Sequence, residues 1–178
     1  MLHLNLNHRR ITIRNAEKED APILARWWND GSVMAHAGFP LGLGTTAEKI
    51  AADLIVDNDC TRRRLMLLLD QEPIGEMSYR FTDPQTADIG IKICESSYQE
   101  QGIGRVALSM LISALFSMGC KQITLDTNLK NTRAQHVYEK LGFQKTAVHY
   151  DSWKNQLGNP ESAVDYCLIP ENFHNFAV

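Results

Sequence analysis

Apolar and polar positions change period several times along this chain, and each change marks an element. Residues 10–14 (Arg-Ile-Thr-Ile-Arg) alternate and predict a first strand. Acids and a proline then open a helix near residue 17, with Ile23, Leu24, Trp27 and Trp28 on its apolar face and Asn29-Asp30-Gly31 as its stop. Thr45 or Thr46 caps a second helix reaching Asp57. The apolar run 64–69 predicts a buried strand, 70–73 a turn, 74–81 another strand, 83–85 another turn, and 87–94 the strand after it. Residues 106–112 are unbroken helix formers, and 122–127 are extended. In 131–141, Ala134, Tyr138 and Leu141 stand at i, i+4 and i+7 on one helical face, with Asn131 as N-cap and Gly142 as stop. Residues 143–153 and 162–169 close the chain as strands. The order predicts an α/β (α+β) chain with a mixed, mostly antiparallel sheet of about seven strands flanked by about four helices. No internal repeat or linker is visible, so residues 1–178 read as a single domain.

Two segments fall outside this regular pattern. Residues 31–44 are rich in glycine and apolar side chains, including Val33, Met34, His36, Phe39 and Leu41. A loop of that character either packs under the sheet or lines a pocket for a substrate. Residues 99–105 (Gln-Glu-Gln-Gly-Ile-Gly-Arg) join a strand to a helix. A glycine-bearing turn there leaves backbone N–H groups pointing outward, where the helix dipole favours an anion such as phosphate. The turn is not a P-loop, because Arg105-Val106 follow Gly104 where Lys-Ser/Thr would be required. Gly102-Ile103-Gly104 gives the first two glycines of a dinucleotide fingerprint, but Ala107 occupies the third position.

The segment 131–143 sharpens the choice. Its spacing is Asn131-x-x-Ala134-x-x-x-Tyr138-x-x-x-Gly142-Phe143. Combined with Gln99-x-x-Gly102-x-Gly104 after a strand, about thirty residues upstream, it resembles the GNAT superfamily of acyl-CoA-dependent N-acyltransferases. The resemblance is close over about residues 86–145 and holds elsewhere by element order. It implies the GNAT fold, acetyl-CoA as co-substrate and direct attack by an amine without an acyl-enzyme. The N-terminal strand and the Trp27-Trp28 helix are similar to the ribosomal-protein-alanine acetyltransferase branch, and the tryptophan pair with 73–75 also resembles aminoglycoside 6′-N-acetyltransferases. Lys92 stands where the latter group would carry an acid.

The resemblance also implies site residues. Backbone N–H groups of Gln101, Gly102, Ile103, Gly104 and Arg105 would hold the CoA diphosphate, with Gln99 opening the turn. The backbone of Ile91 and Ile93 would pair with the pantetheine arm like an added strand. Arg105 and Arg133 would meet phosphates as charge partners, and Asn131 would hydrogen-bond the pantetheine arm or nearby water. Tyr138 would give a proton to the departing thiolate. The general base is open among Glu76, Asp126 and His36, with Glu76 first. Cys94 and Cys120 lie in apolar elements and read as core thiols.

Composition adds exclusions. A net charge of −3 with 44% hydrophobic and 22% charged residues predicts an ordinary globular chain with no overall attraction to nucleic acid or an anionic membrane. No run of 18 apolar residues occurs, and Met1 to Arg10 do not read as a signal peptide. The four cysteines include no Cys-x-x-Cys pair, which fits reduced thiols and a cytoplasmic location. The six histidines show no metal-ligand spacing, so no metal is expected. The partner is a small-molecule amine or a peptide N-terminus, and a homodimer is compatible with this reading. Two other classes remain. A non-catalytic acyl-CoA-binding regulator would keep the glycine turn and lose the tyrosine, and a nucleotide-binding module would rest on Gly102-Ile103-Gly104 alone.

Overall fold

In the computed structural model, residues 4–178 are described; the start of the segment read as lacking a signal peptide (Met1 to His3) lies outside the described residues. Eight strands form one sheet: β1 (Asn5–His8), β2 (Ile11–Asn15), β3 (Arg62–Leu69), β4 (Glu72–Asp83), β5 (Thr86–Ile93), β6 (Gln122–Asn128), β7 (Gln144–Lys154) and β8 (Pro160–Leu168). Their order is β1-β2-β3-β4-β5-β6-β8-β7. Every neighbouring pair is antiparallel except β5 and β6, which run parallel.

Helices cover both faces. On one face, α4 (Ile103–Ser117) and α5 (Thr132–Leu141) pack on Leu65, Leu67, Leu125, Val164 and Tyr166. On the other, α1 (Ala21–Trp28) and α3 (Ala47–Ile55) pack on Met66, Leu68 and Cys94. Alternate residues of β3 thus enter opposite cores, and this is why its sequence is a continuous apolar run. In α4, Leu111, Ile112 and Leu115 are fully enclosed, and each such side chain contributes about 1.5–3 kcal/mol through burial.

The fold class stands as expected, with one strand and one helix more. β1 pairs with β2, and its Leu6 packs against the main core. Its four residues are too few for periodicity to separate from chance. The extra helix, α2 (Gly31–Met34), begins at Asp30, whose carboxylate accepts from Ser32 N–H at 2.8 Å. It lies in the segment read as a loop, and one turn followed by a 3₁₀ turn at Ala35–Ala37 leaves no helical period to detect.

Candidate active site

The site begins where the sheet opens. β5 and β6 pair only from Thr86↔Gln122 to Asp88↔Thr124 and then diverge. Cys94 N–H donates to Ile74 O at 2.9 Å, which fixes the phase of the β4–β5 ladder. Alternation then turns the N–H and C=O groups of Ile91 and Ile93 away from β4, into the gap. The Ile93 carbonyl already accepts from Gln99 Nε2 at 2.9 Å. The resulting cleft has a volume of ≈ 1180 Å³.

The glycine turn closes one end. Gly102 holds φ +78° immediately before α4, a left-handed conformation that disfavours a side chain. The N–H groups of Ile103, Gly104 and Arg105 begin the helix, where no intrahelical acceptor is available. A β-carbon at Gly104 would meet only Ile93 Cδ1 at 3.5 Å and Ile91 Cδ1 at 3.9 Å. Those are ordinary contacts, so the protein's own packing does not require glycine there. Open donors beside a bare Cα form a cradle that suits a diphosphate.

Two arginines stand near the turn. Arg133 Nη1 donates to Gln99 Oε1 at 3.1 Å and to Glu100 at 3.3 Å, tying α5 to the turn. The Arg105 guanidinium lies 4.3 Å from the Phe176 ring centroid, and its buried Nε has no hydrogen-bond partner. Asn131 caps α5, its Oδ1 accepting from Ala134 N–H at 3.3 Å. Gln101 is the one expected cofactor residue that does not line the cleft; its side chain instead donates to Ser97 O at 2.6 Å.

Tyr138 lines the cleft and is otherwise buried against Phe143 and Tyr166, with edge-on ring separations of 5.9 and 5.7 Å. Burial, with a contribution from the Asp126 charge, pushes its phenol up to about 12. Asp126 lies at the gap in β6, opposite Asp165 of β8 in register. Its side chain is exposed to the cleft, yet partial desolvation by its neighbours, then the Asp165 charge, raises its carboxyl above the usual range. Asp165 in turn meets His149 Nε2 at 2.7 Å.

Glu76 also lines the cleft, but its oxygens are taken. Trp28 Nε1 donates to Oε1 at 2.8 Å, Arg64 Nη1 to Oε2 at 2.8 Å, and Lys92 Nζ lies 3.5 Å from Oε1. His36 forms part of the opposite wall with Ser32, Val33 and Ala37, so segment 31–44 does line the cleft. Trp153 from β7 completes that wall.

The structure therefore gathers Glu76, Ile91, Ile93, Gln99, Gly102, Ile103, Gly104, Arg105, Asn131, Arg133 and Tyr138 around one cavity. Arg64 and Trp153 had no signal in local sequence, because their partners come from distant strands and loops. Burial raises the Cys94 thiol to about 12, which makes it a poor nucleophile. Among the described residues, no three His, Cys, Asp or Glu side chains converge as a metal site, and no helix is long and apolar enough to cross a membrane.

The acetyltransferase (GNAT) domain family matches residues 10–144. An uncharacterized N-acetyltransferase p20 of Bacillus licheniformis is 24% identical over 157 residues, covering 83% of this chain and 88% of that protein. The [ribosomal protein bS18]-alanine N-acetyltransferase of Escherichia coli (strain K12) is 29% identical over 70 residues, 39% of this chain and 47% of that enzyme. The chain thus spans about half the length of that second relative. The crystal structure of spermidine N-acetyltransferase from Vibrio cholerae in complex with CoA and spermine superposes with a TM-score of 0.79 at 20% identity, covering 92% of this chain and 97% of that one. At that identity the likeness shows a shared fold.

Proposed function

The chain belongs to the GNAT acetyltransferase family and is an acetyl-CoA-dependent N-acetyltransferase, and from that premise we propose how its residues divide the work. The observation that carries the proposal is the parting of β5 and β6 beside the glycine turn, with Tyr138 and Asp126 both lining the gap. The N–H groups of Ile103, Gly104 and Arg105 hold the diphosphate, and the outward edge of β5 at Ile91 and Ile93, where the Ile93 carbonyl is shared with Gln99, takes the pantetheine arm. Bound there, acetyl-CoA supplies an activated acetyl thioester.

Asp126 is the group we assign as general base. It accepts a proton from the incoming ammonium, and its raised affinity for protons suits that task better than an ordinary aspartate would. Glu76, the first choice from sequence, is held by three donors, two of them cationic, and its role in this scheme is to fix Lys92 and Arg64. As the nitrogen–carbon bond forms and the carbon–sulfur bond breaks, the second proton shed by the attacking nitrogen ends on the departing sulfur, to which Tyr138 donates a hydrogen bond. A phenol at about 12 gives up its proton reluctantly, so it stabilises the thiolate chiefly as a hydrogen-bond donor.

The acceptor is a small-molecule amine or a peptide N-terminus. A cytoplasmic location belongs to the same proposal, since all four cysteines are unpaired. Acetyl-CoA should raise the melting temperature where NAD and ATP do not. Free-thiol release should then follow when amines are added. Binding without thiol release across a broad amine panel would point to the non-catalytic regulator, and no shift with acetyl-CoA would end the proposal.

A further inference from the structure

The side of the cleft facing the acceptor has an uneven charge distribution. Glu76 and Lys92 stand opposite each other in the β4–β5 register, on the face away from α4. Glu76 receives two cations, Arg64 and Lys92, so this cluster carries one surplus positive charge. Arg64 has the better share: a 2.8 Å bond to Oε2, with its guanidinium 4.9 Å from the Trp28 ring centroid. Lys92 is left poorly satisfied. It meets Glu76 Oε1 at 3.5 Å, an oxygen that Trp28 Nε1 already occupies at 2.8 Å. Its other contact is the thioether sulfur of Met34 at 3.2 Å, a weak acceptor. An ammonium with three donors, 27% exposed and lining the cleft, has capacity for an anion.

Across the gap the sign reverses. Asp126 lines the cleft, with Asp165 beside it and Asp88 on the neighbouring strand. A polycation would gain at Asp126 but would meet the surplus charge of Lys92 and Arg64. A molecule that carries both an amine and a carboxylate matches both signs of charge. We propose that the acceptor is a free amino acid, whose amine faces Asp126 and whose carboxylate is bound by Lys92. The inference rests on the acetyl-transfer reading above and adds the substrate class to it. Charge-assisted bonds to a partly shielded ammonium are strong enough to set such a preference.

The test compares the common L-amino acids with their decarboxylated amines, alongside spermidine and short peptides, by thiol release from acetyl-CoA. Amino acids should be preferred over the matched amines by about 10- to 100-fold in kcat/KM. Lys92→Met should erase that preference and leave the melting shift with acetyl-CoA unchanged, while Lys92→Arg should retain most of it. As a readout independent of turnover, N-acetyl-L-phenylalanine should stabilise the wild type against heat more than N-acetylphenethylamine does, and Lys92→Met should lose the difference. Equal or better turnover of decarboxylated amines or spermidine overturns the proposal. So does turnover of peptides without amino acids, or no turnover of any amino acid while acetyl-CoA binds. A Lys92→Met loss that is uniform across all acceptors also overturns it, since Lys92 would then serve the thioester or the Glu76 cluster alone. A wild type that fails to bind acetyl-CoA strikes the underlying reading instead.

Discussion

At Tyr138 the burial that fixes the ring also weakens the phenol as an acid, raising it to about 12. Tyr138→Phe keeps the ring contacts with Phe143 and Tyr166 and removes only the hydroxyl. Turnover should fall by about 100-fold or more, with acetyl-CoA affinity and melting temperature nearly unchanged; equal turnover removes Tyr138 from the chemistry. Asp126 carries the opposite trade. Asp165 from β8, Asp88 from β5 and Tyr138 from α5 feel its charge, and His149 is bonded to Asp165. Because the folded protein holds the Asp126 proton more tightly than the unfolded chain does, this group opposes folding above its folded pKa. That opposition fades as pH falls through the raised value. Activity needs the deprotonated form, so the acid limb of kcat/KM should lie above the range of an ordinary aspartate. Asp126→Asn should abolish that limb and lower turnover by about 100- to 10,000-fold, while its melting temperature at neutral pH stays at or above that of the wild type. A variant that keeps the limb would send the base role elsewhere.

At the scale of elements, the two glycines of the turn have separable jobs. Gly102 is required by its own backbone, with φ +78°. Its replacement by Ala should cost about 1 kcal/mol of stability, seen in denaturant unfolding. Gly104→Ala should cost almost none, since helix propensity favours Ala and the new methyl meets only ordinary contacts. Its effect should appear as weaker acetyl-CoA binding in calorimetry, because the methyl enters the cradle. Unchanged affinity would mean the diphosphate lies elsewhere. These elements were legible in the sequence because local rules govern them: a strand, a glycine turn, a capped helix ending at Gly142, each set by neighbours along the chain. The identity of the base was not legible. Glu76 is silenced by Trp28 and Arg64, 48 and 12 residues away in sequence, and Asp126 gains its character from desolvation by its neighbours in the fold and then from Asp165 on the adjacent strand. No local period encodes pairings of that span.

For the molecule as a whole, the acceptor wall depends on two distant parts of the chain being fastened together. The β7–β8 turn reaches over segment 31–44, where Gln156 N–H donates to Gly38 O at 2.8 Å. Its side chain accepts from Leu41 N–H and donates to Gly42 O, both at 2.9 Å. Trp153 lies so close to Gly38 that a β-carbon there would stand 2.4 Å from the indole. The cofactor half of the cleft, built from β5, the turn and α5, has no part in this fastening. Loosening the strap should therefore act on one substrate and spare the other. Gln156→Ala removes the two side-chain bonds and keeps the backbone one, at a stability cost of about 1–2 kcal/mol. It should raise the acceptor KM several-fold while the KM for acetyl-CoA stays constant, because ordering His36, Val33 and Ser32 would then have to be supplied by acceptor binding. Steady-state kinetics varying each substrate in turn reads this directly. A parallel rise in both KM values would show that the strap supports the whole cleft rather than its acceptor wall.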